Sequence, residues 1–159
     1  MKLTPALLSA TMLLTLTATP LSTSHAILDK TRFVVHLGIA YYAFHHWDLQ
    51  PYKAGKFAAG APGRTSAMVK GGLALAFAAH EVAVAKKIAD KSHDPLLMKL
   101  DASLGGLSSK MNSIGSGLKS GNLNPADLQS LENDTTSLSG SAAANGQQIK
   151  DIATPIPGL

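Results

Sequence analysis

Two histidines lie on the apolar faces of predicted helices, and histidine nitrogens in such places can bind haem iron or a transition metal. His36 lies in an arc of apolar side chains between Phe33 and Trp47, and His80 lies in the apolar stripe of the next helix. If these helices pack antiparallel with their facing ends level, residue n lies opposite roughly residue 115 − n, which places His36 beside His80. Four-helix bundles present the axial ligands of a b-type haem, or two ligands of a transition metal, in this way.

Other features of the sequence favour a structural role for the same pair. The chain has no cysteine, hence no c-type haem attachment motif, and no Glu-x-x-His pair of the kind that di-iron bundles use. A histidine in a helical core usually bonds to a carbonyl or hydroxyl group, and two that meet can also respond to pH. We therefore expect no cofactor, with haem or metal binding at His36 and His80 as the alternative.

A second candidate site is the irregular connection 51–64, which is basic and contains no acid. No acidic residue occurs between Asp48 and Glu81. Such a loop can bind a phosphate, an anionic envelope polymer or a lipid headgroup. The predicted contact surface includes the end of the preceding helix and consists of Tyr42, His45, His46, Tyr52, Lys53, Lys56, Phe57 and Arg64. The alternative is a solvated loop whose aromatic rings fold back onto the bundle, because no glycine-rich phosphate motif is present.

The distribution of charge supports the basic half as the side for an anionic partner. Residues 27–100 carry ten Lys and Arg against five Asp and Glu, whereas 101–159 carry three against five. Catalytic signatures are missing, since the chain has no GxSxG elbow and no paired carboxylates. We expect a protein that is not an enzyme and does not bind nucleic acid.

Residues 1–26 have the pattern of a secretory signal peptide. Lys2 precedes an apolar run from Ala6 to Leu16, and the segment ends Ser24-His25-Ala26, with small residues where a signal peptidase cleaves. The run is shorter than the roughly 20 residues that span a bilayer. The pattern predicts export to the periplasm, cell surface or extracellular space, with a retained N-terminal anchor as the alternative.

The remaining sequence predicts an all-α protein, a four-helix bundle of two antiparallel hairpins in one domain, 27–153. Helices are predicted at about 29–49, 66–91, 95–119 and 125–152. The first ends before Pro51, and the last two begin with Asp94-Pro95 and Asn124-Pro125, each a cap residue followed by proline. A non-helical tail follows at 154–159, where two prolines exclude a helix.

The third and fourth predicted helices have apolar residues at alternating spacings of three and four, typical of helices that pack in pairs. This stripe begins at Leu97, and in the fourth helix it continues through Ile149 and Ile152. The hairpin 96–152 could also pair with the same hairpin of a second copy, so the sequence predicts a homo-oligomer as one option. The polar stretch 133–141 leaves open that the last helix frays. Together these patterns predict an exported interaction module that binds an anionic envelope partner.

Overall fold

A computed structural model describes residues 22–159 of the protein. Over this range the chain folds into helices and contains no strand, so the prediction of an all-α fold with four long helices is confirmed. The predicted signal peptide falls mainly on residues 1–21, outside the described part. Residues 22–26, assigned to that signal from the sequence, form the start of the first helix.

The first helix is longer than predicted at both ends. Helix α1 spans Ser22–Phe44, a π-helical segment follows at His45–Leu49, and helix α2 continues the same rod over Gln50–Lys53. We call His45–Leu49 the π segment. Helices α3 and α4 span Arg64–Lys91 and Pro95–Lys119, close to their predicted ranges. Helix α5 spans Pro125–Ala144 and is shorter than predicted.

Capping residues explain where α4 begins and where α4 and α5 end. The Asp94 carboxylate accepts hydrogen bonds from the backbone N–H groups of Leu96 and Leu97 at 3.0 and 3.3 Å. Helix α4 closes at Gly121, which has a φ of 78°. Gly146 closes α5 in the same way, with a φ of 79°. The N–H of the following residue, Gln147, then donates back to the Ala142 carbonyl at 2.9 Å.

The predicted extension of α5 to residue 152 is therefore wrong, because the apolar spacing continues past a glycine that terminates the helix. Ile149 and Ile156 are buried, but they belong to a non-helical tail, residues 145–159. The tail crosses α1 at Gly38, where the Ile152 N–H donates to the Gly38 carbonyl at 2.9 Å. A methyl group on Gly38 would overlap the Lys150 carbonyl oxygen. The missing side chain allows this close approach.

Helix α3 is the centre of the bundle, because its two interfaces, with α4 and with α1, are the most extensive. Glycines bring α3 and α4 together: a β-carbon on Gly72 would lie 2.6 Å from the Gly115 carbonyl oxygen. Further along the same interface, the Ser108 hydroxyl donates to the Ala79 carbonyl at 2.9 Å. The predicted division into two hairpins stays a prediction. The most extensive helix interface, between α3 and α4, lies between the two proposed hairpins and not within either of them.

The apolar stripe of α4 lies within this bundle. Leu97, Leu104, Met111 and Leu118 are fully buried in their own chain. Helix α5 adds Leu128, Leu131 and Leu138 to the same core. The face that the sequence offered for pairing with a second copy is thus already covered.

Candidate functional site

The π segment is the local departure from regular helix that organises the candidate site. Its wider turn is seen in the Gln50 N–H, which donates to the His45 carbonyl five residues back. Pro51 supplies a physical reason, since its ring would clash with the Trp47 carbonyl in a regular α-helix and it has no N–H to donate. Gln50 keeps helical angles of −64° and −49°. The prediction that the helix ends before Pro51 is wrong, because the π turn accommodates the proline.

Three side chains of the π segment have three different environments. Asp48 is buried in the core, Trp47 is half-buried beside the loop, and His45 is half-buried facing α5 and the tail. Turns of this kind occur often at functional sites, where they redirect side chains.

Asp48 is an unusual buried carboxyl group. Its exposed fraction is 0%, and neither carboxyl oxygen has a hydrogen-bond partner among residues 22–159. Gly71 of α3 makes room for it, because a β-carbon there would lie 2.5 Å from Oδ1. Burial raises the pKa of Asp48 well above its usual value. No sequence pattern predicts a buried carboxyl group at this position, although the Gly71-Gly72 pair inside an apolar helix indicates a close approach.

A basic cavity lies between the π segment, the loop and the start of α3. Its volume is about 320 Å³, and both charged side chains in its wall are lysines. The lining residues are Trp47, Pro51, Lys56, Pro62, Gly63, Ser66, Ala67 and Lys70. Gly63, at a φ of 71°, precedes α3 and offers no capping side chain, and the first turn of the helix has no acid. The partial positive charge of a helix N-terminus therefore adds to that of the two lysines.

The rest of the predicted contact surface is only partly available. Lys53 pairs with Glu132 of α5 at 2.8 Å. Arg64 donates from Nε to the Phe57 carbonyl at 3.0 Å and also bonds to the Gly121 carbonyl at 3.3 Å. Phe57 is 4% exposed and Tyr52 is half-buried. Phe57 is therefore wrong as a contact residue, since the loop folds its ring back onto the bundle as the alternative interpretation expected.

Of the eight predicted contact residues, Lys56 alone lines the basic cavity, where Trp47 and Lys70 join it. Lys70 was missed because it lies inside a helix, although it belongs to the acid-free stretch that drew attention to the loop. Tyr42 and His46 form a stacked pair on the outer side of α1, with ring centroids 5.2 Å apart. His46 is exposed. This pair adds an aromatic surface next to Trp47, whose ring meets the His46 ring edge-on at 5.1 Å.

His45 faces the other side of the segment. Its Nδ1 lies 2.8 and 3.0 Å from the two carboxylate oxygens of Asp151 in the tail. Both residues line a second cavity, of about 360 Å³, together with polar residues of α5. At its edge, the Tyr41 hydroxyl donates to the Thr135 carbonyl at 2.9 Å. Burial, and secondarily the charge of Asp151, raises the pKa of Tyr41, so its hydroxyl keeps the proton for that bond.

His36 and His80 do not form the predicted arrangement. The partner of His36 is Glu81, whose Oε2 lies 2.6 Å from Nδ1, and the His80 side chain is exposed. Glu81, the next residue along α3, is directed towards α1 in place of His80. The placement of His80 in the apolar stripe is therefore wrong. No group of three metal-ligating side chains occurs within residues 22–159.

Two further observations bear on function. By length and composition alone, helix α3 could cross a membrane. It is also the central helix of the bundle, and a buried core helix can have the same length and composition. No protein-family model, no curated protein and no solved structure matches the chain.

Proposed function

We propose that the protein is a non-enzymatic, exported interaction module that binds a phosphate-bearing partner through the basic cavity. One observation carries this proposal: Lys56 and Lys70 line one cavity with the uncapped start of α3, and no acid lines it. Neither lysine has an ion-pair partner within the described range 22–159. Two lysines and a helix N-terminus that line one space favour an oxyanion.

The apolar part of the cavity lining supports a ligand in which the phosphate is attached to a larger molecule. Trp47, Pro51 and Pro62 give it apolar walls beside the lysines. A phosphate on an envelope polymer and the headgroup of an anionic lipid share the required charge. The export prediction rests on the signal pattern of residues 1–26 and is part of the proposal. Self-association through 96–152 stays a prediction, although the α4 stripe is covered within the chain.

The cavity contains its own reporter, because Trp47 is the single tryptophan of the sequence. Titration with inorganic phosphate, with soluble polyphosphate and with phosphatidylglycerol vesicles should change its fluorescence saturably. The vesicle and polyphosphate titrations distinguish a lipid from a polymer source. Affinity should fall as salt rises, because binding releases counterions.

Paired variants make the test specific. Lys56→Ala with Lys70→Ala should weaken binding by about 1 kcal/mol per lysine, roughly fivefold each. The matched control is Lys87→Ala with Lys99→Ala, which removes the same charge from exposed positions outside the cavity. Equal losses in both double variants would show that net charge alone attracts the ligand. Binding that ignores salt, or no binding, would refute the proposal.

A further inference from the structure

The second cavity, between the π segment, α5 and the tail, differs from the basic cavity in chemistry. It encloses about 360 Å³, and its polar lining includes His45, Thr136, Ser139, Gln148 and Asp151. Its histidine and its carboxylate are paired with each other, since His45 Nδ1 lies 2.8 Å from the Asp151 carboxylate. A ligand in this cavity meets no lone charge.

The remaining polar groups are neutral and unused. The Thr136 and Ser139 hydroxyls and the Gln148 amide have no hydrogen-bond partner in the part of the chain that the structure describes. Thr135, by contrast, uses its hydroxyl on the Leu131 and Glu132 carbonyls at 3.1 and 2.9 Å. The open positions therefore offer two hydroxyls and one amide, each of which can both donate and accept.

The His45 ring adds one more polar atom. Its Nδ1 lies against the Asp151 carboxylate, so Nε2 is the ring nitrogen left for a ligand, and it accepts a hydrogen bond when it carries no proton and donates one when it does. Apolar surface lies among these groups, at Ile149, Ala143 and Gly140. Donors and acceptors set around small apolar patches are complementary to a molecule with hydroxyls on its edges and C–H groups on its faces.

From this arrangement we infer that the cavity between α5 and the tail binds a neutral polyhydroxylated ligand, a sugar or a polyol. Its hydroxyls pair with Ser139, Thr136 and Gln148, and its C–H face rests on Ile149 and Ala143. The volume is that of a small-molecule site. This site is separate from the basic cavity, and the inference does not depend on phosphate binding there.

Binding fits the geometry better than hydrolysis, although Ser139, His45 and Asp151 line one cavity. The Ser139 hydroxyl makes no hydrogen bond to the His45 ring within residues 22–159. Ser139 also lies inside α5, where backbone N–H groups donate along the helix. They are not free to stabilise an oxyanion.

The test uses the full chain and neutral probes: glucose, N-acetylglucosamine and ribitol. NMR spectra recorded during each titration should show saturable shifts of the Gln148 side-chain amide and the His45 ring for at least one probe. Gly140→Leu should then abolish those shifts, because a β-carbon there meets nothing within 4 Å and the longer side chain extends into the cavity. The variant should fold at least as well as the wild type, since leucine favours a helix more than glycine does.

The matched control is Gly106→Leu, an equally open glycine of α4 that lies outside this cavity. It should leave probe binding unchanged. Ser139→Ala with Gln148→Ala should weaken binding about tenfold, and Gln129→Ala with Ser137→Ala, elsewhere on α5, should not. No saturable shift with any probe, unchanged binding in Gly140→Leu, or equal weakening in both double variants would overturn the inference. Phosphate binding at the basic cavity would be unaffected by such a result.

Discussion

The α3–α4 interface and the π segment solve the problem of packing in opposite ways. Between α3 and α4, Gly72 and Gly115 let two backbones touch, and the apolar side chains around them are fully buried. Around the π segment, a carboxyl group is buried with no hydrogen-bond partner among residues 22–159, and two open cavities adjoin the helix. The first region uses small residues to remove space, whereas the second keeps space and polar groups. We therefore expect stability to come mainly from the first region, and we propose ligand binding at the second.

The largest effect should come from adding one methyl group to the tight interface. In Gly72→Ala the new β-carbon would lie 2.6 Å from the Gly115 carbonyl oxygen and 3.0 Å from the backbone nitrogen of Lys119. Backbone atoms must shift, so we expect a loss of about 2–3 kcal/mol in the free energy of unfolding. Urea denaturation measures it. The same change at the open Gly106 should stabilise by about 0.5–1 kcal/mol, and a harmless Gly72→Ala would contradict the close packing described.

Replacing Asp48 tests whether the buried carboxyl group of the second region lowers the free energy of unfolding. Because burial raises its pKa in the folded state, Asp48 keeps its proton there after the unfolded chain has lost it. The free energy of unfolding is then unaffected below the ordinary value of 3.8. It falls by up to about 1.4 kcal/mol for each pH unit above that value, and levels off beyond the folded pKa.

Asp48→Asn cannot ionise and should lose this pH dependence. The difference in free energy of unfolding between wild type and variant, measured by urea denaturation from pH 4 upwards, isolates Asp48 from every other titrating group. We expect the variant to gain relative to the wild type as pH rises. A constant difference would mean that Asp48 has a partner or reaches solvent.

A third substitution addresses the tail. Gly38→Ala should lift residues 150–152 from α1, because the added methyl group overlaps the Lys150 carbonyl oxygen. Losing the bond from the Ile152 N–H costs about 1 kcal/mol. Hydrogen exchange of that amide should accelerate, whereas amides of α4 should keep their protection. Unchanged exchange at Ile152 would show that the tail is not held by this contact.

The smallest effect is expected from the variant with the clearest consequence for binding. Lys56→Ala with Lys70→Ala should change the free energy of unfolding by less than about 0.5 kcal/mol, since both side chains are exposed. Thermal denaturation beside the binding titration shows this. A large loss of stability would remove the distinction between the two regions.

Local signals in the sequence predicted the elements that depend on local chemistry. Asp94-Pro95 placed the start of α4 because a carboxylate cap and a proline act within one turn. Gly121 ended that helix for the same kind of reason. Gly146 carried an equal signal, but the apolar spacing that continues to Ile152 outweighed it. Pro51 was read as a stop because the π turn that accommodates it has no simple sequence pattern.

Predictions that depended on the relation between helices were less successful. The pairing of His36 with His80 required knowing which face of α3 packs on α1, and it is Glu81 that lies there. The basic loop was recognised from composition, but contacts with distant residues decide which of its cations is available to a ligand. Lys53 pairs with Glu132 and Arg64 donates to the Gly121 carbonyl, so Lys56 is the loop cation without such a contact within residues 22–159. The cavity that Asp151 lines depends on the path of the tail. The apolar spacing predicted a helix for this part of the chain, so that path could not be foreseen.

The tail also fixes an order of events during synthesis. Gly38 leaves the ribosome long before Lys150 and Ile152, which lie against it. Because a domain folds largely as a unit, that side of α1 stays bare until the tail has been made. The cavity beside His45 is completed only when Asp151 arrives. A chain that stops short of the tail would lack Ile149 and Ile156 in its core and Gln148, Ile149 and Asp151 in the wall of the neutral cavity.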